Sequence, residues 1–207
     1  MKTRNYFTIG FILLLTISAN ARKSSFNGYI VTTENDTLHG KIFVAGPTAN
    51  ELKVKFVDEN NSKSFFKARD LQSYAFEVPK FNKETRKHGT EWINYVRKTV
   101  EDAPVRFGTT DIMIEKQVDG DIQVFNQYTE SDEKIGGTLK HYFYVESTNK
   151  VDFSKVTKAN YKEVMKTATA DFMELNNKIG KKGFGYKYIV KIAKIYNQHK
   201  AGRKQAN

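Results

Sequence analysis

Residues 28–44 read GYIVTTENDTLHGKIFV, and this stretch narrows the possible folds more than any other. Two short runs, 29–33 and 38–44, are rich in apolar and β-branched side chains, and Glu34-Asn35-Asp36 stands between them. Asn and Asp accept a positive φ and hydrogen-bond their own backbone, so the pattern predicts a β-hairpin.

The same grammar recurs downstream. Leu52, Val54 and Phe56 alternate with Lys53 and Lys55, the period of a half-buried strand. Residues 63–68 predict a strand, and 71–78 another, ended by Pro79. Residues 80–90 are polar and predict a loop, and 92–100 alternate again. Ala103-Pro104 and Gly108 bracket a connection of no clear type. Asp119-Gly120 lies between the alternating runs 111–118 and 122–128, which makes a second hairpin. An acidic loop covers 129–137, and 139–147 reads as the last strand.

The period then changes. Tyr161, Val164, Met165, Ala168, Phe172, Leu175 and Ile179 fall on one helix face, and Gly180 supplies a stop. Ile189, Ile192, Ala193 and Tyr196 mark a second helix over 186–199. The expected fold is α+β: a mostly antiparallel β body of about eight or nine strands, as a curved sheet, roll or half-open barrel, followed by a C-terminal helical hairpin. The expected divisions are a signal peptide at 1–21, the β body at 22–150, and a basic helical hairpin with its tail, packed on the body, at 151–207.

The signal peptide is read from Lys2 and Arg4, the apolar run 6–17, and the small-x-small pattern Ala19-Asn20-Ala21. The run is shorter than the roughly 18 residues a membrane helix needs, and no later stretch reaches that length, so no transmembrane segment is expected after cleavage. The chain has no Cys, which removes disulfides and lipid attachment at a cleavage-site thiol. Abundant Lys, Asn and Ile favour a bacterial periplasmic, secreted or cell-surface protein.

The net charge of +11 is segregated. Residues 22–150 hold 19 Lys and Arg against 19 Asp and Glu, whereas residues 151–207 hold 13 against 4. The residues expected to meet an anionic surface are Lys158, Lys162, Lys166, Lys187, Lys191, Lys194, Lys200, Arg203 and Lys204. Lys outnumbers Arg among them, which suits diffuse attraction better than bidentate recognition, so specific nucleic-acid binding is not expected.

Catalytic signatures are sparse. The four histidines, His39, His88, His141 and His199, share no helix turn or strand face, so neither a metal site nor any other cofactor is expected. The chain has no Gly-x-Ser-x-Gly and no His-Glu-x-x-His. A triad from Ser64 or Ser73, or a carboxylate pair from Glu77, Glu91, Glu115 and Asp121, would have to be assembled by the fold. Gly180, Gly183 and Gly185 lack phosphate-loop spacing and read as a helix cap and link.

Three segments carry a resemblance: Gly28-Tyr29-Ile30-Val31 with Asp36-Thr37-Leu38-His39-Gly40-Lys41-Ile42; the run 118–125, VDGDIQVF, with Tyr142-Phe143-Tyr144; and Tyr188-Ile189, Ile192 and Ile195-Tyr196-Asn197. In this order they resemble uncharacterised exported proteins of Bacteroidota-type bacteria, which have an N-terminal G-D-T-x-x-G hairpin and a C-terminal helix ending in Tyr-Asn. Asn35 stands where that pattern has Gly. The resemblance implies export and assigns no catalytic residue. The expected function is therefore a non-enzymatic envelope protein, a binding or accessory module whose basic C-terminal surface meets an envelope protein or an anionic polymer. The alternative is a hydrolase acting on envelope glycans or esters.

Overall fold

The computed structural model describes residues 24–44, 48–82, 86–100, 111–130 and 139–206. The expected signal peptide, the connection around Ala103-Pro104 and residues 131–137 of the acidic loop lie outside them. Among these described residues ten strands build one antiparallel sheet: β1 (Ser24–Thr32), β2 (Thr37–Val44), β3 (Lys53–Asp58), β4 (Lys63–Lys67), β5 (Leu71–Asn82), β6 (Lys87–Thr99), β7 (Asp111–Val118), β8 (Ile122–Glu130), β9 (Leu139–Ser147) and β10 (Val151–Val156). The helices are α1 (Ala49–Leu52), α2 (Tyr161–Ala168), α3 (Met173–Asn176) and α4 (Ile189–Ala206). The spatial order β10-β9-β8-β7-β6-β5-β1-β2-β3-β4 makes two meanders joined where β5 pairs with β1. The sheet is not closed, and the α+β class with helices after an antiparallel body is the one read from the sequence.

The first hairpin forms as its turn chemistry predicts. Asn35 adopts φ 70°, and the Thr32 N–H donates to the Asp36 carbonyl at 2.9 Å. Gln72 donates from Nε2 to Asn35 Oδ1 at 2.9 Å, tying the turn to β5. Strand alternation then sends Ile30, Ile42, Val54, Phe56, Tyr74, Phe76 and Tyr95 into one interior. Tyr74 and Tyr95 stack there at 4.6 Å between ring centroids, with Phe76 beside both. Since β3 and β7 both contribute to this cluster across four intervening strands, the sheet must curl.

Two strand readings change. Pro79 does not end β5; it sits opposite Thr90, and the β5–β6 ladder continues to Asn82 opposite Lys87. The pairing of β5 with β1 stops at Phe76, so Pro79 lies where β5 has a neighbour on one side only and a missing N–H is tolerated. Residues 80–82 and 87–90 of the expected loop are therefore strand. The tenth strand, β10, is short and partly polar, pairs only with β9 and carries a bulge between Val151 and Ser154. These are the marks of a protected edge, and they hide the strand from a periodicity reading.

The helical face read over 161–179 is correct, but the helix is interrupted. Thr169 Oγ1 donates to the Met165 carbonyl at 2.8 Å, and the Asn149 and Asn176 amides take the carbonyls of Ala168 and Lys166 at 2.9 and 2.6 Å. Side chains thus accept the role of the next turn, and α2 stops at Ala168. Tyr161, Met165, Ala168, Leu175, Ile179, Ile189, Ile192, Ala193 and Tyr196 still share one core with Val118, Ile122, Val124 and Val145 of the sheet. Gly180, at φ +90°, turns the chain toward α4 as a left-handed cap does.

Asn197 fastens α4 to the second hairpin. Its amide donates to the carbonyls of Asp119 and Ile122 at 2.9 and 2.8 Å, and its Oδ1 accepts from the Ile122 N–H at 2.9 Å. A Cβ on Gly120 would lie 2.6 Å from the Asn197 amide nitrogen, so only glycine leaves room for this grip. Asn197→Ala strands polar backbone groups beside the buried Ile122 and is expected to cost about 2–3 kcal/mol. Urea unfolding at unchanged slope measures it; a loss under about 0.5 kcal/mol would mean that solvent replaces the amide.

Candidate functional site

The predicted cationic residues lie on the helical layer, and their placement follows from helical period. Tyr161, Met165 and Ala168 turn α2 inward, which leaves Lys162 and Lys166, one turn apart, exposed. Ile189, Ile192, Ala193 and Tyr196 turn α4 inward and leave Lys191 and Lys194 exposed. Lys158 is exposed in the turn before α2, Lys187 in the 3-10 turn before α4, and Arg203 near the end of α4. Lys204 lies in α4 and its side chain is outside the described residues. Helix α2 packs on β9 and β10 and α4 on β7 and β8, and both close one core on the same side of the sheet.

Two acidic groups of this layer, Asp171 and Glu174, are neutralised. Glu174 pairs with Lys178 at 2.7 Å. Asp171 accepts from Lys200 Nζ at 2.8 Å and from the Tyr196 hydroxyl at 2.7 Å, and Asn149 donates to it at 2.9 Å. Burial pushes the Asp171 carboxyl up, but the bonds from Lys200, Tyr196 and Asn149 prevail and hold it at about 2. Lys200 is thus a partner of Asp171 rather than a freely exposed cation, a use that the sequence does not reveal. Lys158, Lys162, Lys166, Lys187, Lys191 and Lys194 have no carboxylate partner among the described residues. Lys191 rests over the rings of Phe184 and Tyr188 at 4.9 and 5.8 Å, and Lys187 over Tyr188 at 5.0 Å. Such seats hold an ammonium in place without neutralising it.

The residues considered for catalysis are dispersed. His39 meets Tyr29, His88 meets Phe81, and His199 stacks on Phe172 at 3.7 Å. The His141 side chain is outside the described residues. Ser64 on β4 and Ser73 on β5 bond to no histidine among the described residues. Glu91 pairs with Lys80 at 2.6 Å, Asp121 lies in the β7–β8 turn, and Glu77 faces outward on β5. Among the described residues no group of three His, Asp or Glu is arranged to hold a metal ion. No described helix is long and apolar enough to cross a membrane.

The structure adds a buried acidic group that the sequence reading missed. The β7–β8 ladder pairs only from Glu115 opposite Asn126 to Val118 opposite Val124, so residues 111–114 and 127–130 lie beyond it. Helix α1 touches β7 there, and Leu52 packs against the cluster around Ile112 and Ile114. Glu51 Oε1 accepts the Tyr128 N–H at 3.0 Å, taking the part of a missing ladder carbonyl. Gln127 also bonds this carboxyl and accepts the Tyr144 hydroxyl at 3.0 Å. Glu115 bonds Gln117 and Asn126 nearby.

Burial raises both carboxyls, Glu51 to about 8 and Glu115 by less. Burial likewise raises the Tyr74 and Tyr95 hydroxyls, and the charges of Glu51 and Glu115 add to it. No sequence signal singles out Glu51, because a lone Glu in ANEL reads as a surface turn residue. At neutral pH Glu51 is mostly protonated, and the partners named above belong to the fold's own interior. The arrangement stores a proton where the sheet opens.

Compared with protein-family models, curated proteins and solved structures, the chain matches none.

Glu51 makes stability depend on pH. A folded-state value above the unfolded one means that the folded chain binds its proton more tightly, so the contribution is complete below about 4.5 and is lost as pH rises to about 8. Unfolding free energy measured at intervals between those limits is expected to fall by a few kcal/mol, and Glu51→Gln is expected to flatten that fall.

Proposed function

We propose that this protein is an exported, non-enzymatic binding module of a bacterial envelope, and that its basic helical layer associates with an anionic polymer or with anionic head groups. One observation carries this reading: α2, α4 and the turns before them close one core and hold six exposed lysines that have no carboxylate partner among the described residues. Charge of this kind acts as a sum of many weak attractions. Each lysine held near an anionic surface contributes about 1 kcal/mol, and ring-seated ammonium groups retain their full charge. The signal-like N-terminus and the resemblance to exported proteins of Bacteroidota-type bacteria support the envelope setting.

Binding to vesicles containing phosphatidylglycerol, and to purified lipopolysaccharide, tests the reading. Affinity is expected to fall steeply between 0.1 M and 1 M salt, as the screening length drops from about 10 Å to about 3 Å. Lys162→Ala, Lys166→Ala, Lys191→Ala and Lys194→Ala are each expected to cost about fivefold in affinity. Absence of binding at low salt, or binding indifferent to these substitutions, rejects the reading.

A further inference from the structure

On the outer face of the curled sheet, away from the helices, two depressions of about 400 and 390 Å³ follow one another across the strands. The two share Trp92. The rings form a row. Tyr29 lies 5.8 Å from Trp92 and 6.0 Å from His39, tilted by 43° and 50°. Trp92 on β6 reaches Tyr29 on β1 across β5 because the residue level with Tyr29 there is Ala75. A larger side chain at that position would part the two rings. Trp92 is 48% exposed, which is unusual for the largest apolar side chain in a protein with buried space to fill.

The walls between the rings are polar. Asn27, Lys41, Glu59 and Glu77 line the first depression, and their side chains have no hydrogen-bond or ion-pair partner among the described residues. Asn94 and Gln117 line the second depression. From these features we infer that the row is a binding site for a neutral oligosaccharide.

Three arguments select that ligand. First, the C–H face of a sugar ring carries slight positive charge and suits the negative face of an aromatic ring, while its hydroxyls need donors and acceptors at the rim. Second, the lining groups are two cationic, Lys41 and Lys116, against four anionic, Asp58, Glu59, Glu77 and Asp119, which opposes a polyanion. Third, the row crosses interior strands whose backbone groups are already paired, so a peptide cannot bind here by adding a strand. From β6 to β2 the row crosses three strand spacings, roughly 14 Å, which suits a short chain of sugars better than one.

This site is independent of the basic helical layer. Trp92 is the only tryptophan, so its emission reports directly on occupancy. The full chain would be titrated with hexasaccharides of β-1,4-glucose, β-1,4-N-acetylglucosamine, β-1,4-mannose and α-1,4-glucose. At least one is expected to change the emission of Trp92 saturably at millimolar concentration or below. By calorimetry, Trp92→Ala is expected to weaken that binding about tenfold, the scale of losing one stacking ring. Asn27→Ala and Glu77→Gln, both surface changes that leave the fold intact, are expected to weaken it severalfold, whereas Lys191→Glu leaves it unchanged. No response to any of the four sugars, or affinity in Trp92→Ala and Glu77→Gln unchanged from that of the unsubstituted chain, overturns the inference.

Discussion

The carboxamide of Asn197 is the contact on which the two-layer arrangement depends. It meets the backbone of Ile122 as a neighbouring strand would, giving one bond and taking one, and it spends its remaining donor on Asp119. An apolar helix face alone would tolerate sliding, because hydrophobic attraction has no direction. The amide sets the rotation and the height of α4, and with them the seating of Ile189, Ile192, Ala193 and Tyr196. Tyr196, one residue earlier, carries the constraint to Asp171, Asn149 and Lys200. Two adjacent residues thus lock the helix to the sheet on one side and to the α2–α3 connection on the other.

A second constraint acts where β7 and β8 part. A strongly curled sheet must either close or lose register, and here the ladder ends after Glu115 opposite Asn126. The exposed backbone of β8 is met by Glu51, and the apolar gap beside it by Leu52. A four-residue helix thereby supplies one acceptor and one packing side chain where strand pairing ceases. The burial that comes with this position keeps Glu51 protonated near neutrality, so the same contact that finishes the sheet also makes it sensitive to alkali.

Much of this was legible in short-range pattern. Asn35, the Asp119-Gly120 turn and the alternation of Val54 and Phe56 with Lys53 and Lys55 report local conformation, and local rules suffice for them, whereas Leu52 ends α1 instead of starting the strand. The buried positions of α2 and α4 also follow from period alone. What escaped depends on which strands become neighbours. Pro79 is harmless only because β1 does not run beside it, a fact of the assembled sheet. Trp92 meets Tyr29 only because β5 brings Ala75 between them. Lys200 looks like any other helical lysine until Asp171 is placed beside it. The basic surface was visible as composition, whereas the aromatic row needed strand order and register.

The two meanders meet along β1 and β5, and this seam shapes how the chain must assemble. Every other strand pairing in the sheet joins neighbours in sequence. Hairpins of that kind close small loops and form early, whereas the seam must wait until residues 33–70 have folded back on themselves. Gly28 stands at its end, opposite Phe76, where a Cβ would lie 2.2 Å from the Ala75 carbonyl oxygen. The seam is therefore a late and sterically exacting step, and until it forms the aromatic interior of Tyr74, Phe76 and Tyr95 has only one wall. A chain that stalls there would display its most adhesive surface, so the tightness of one glycine contact governs how long the protein remains at risk of misassociation.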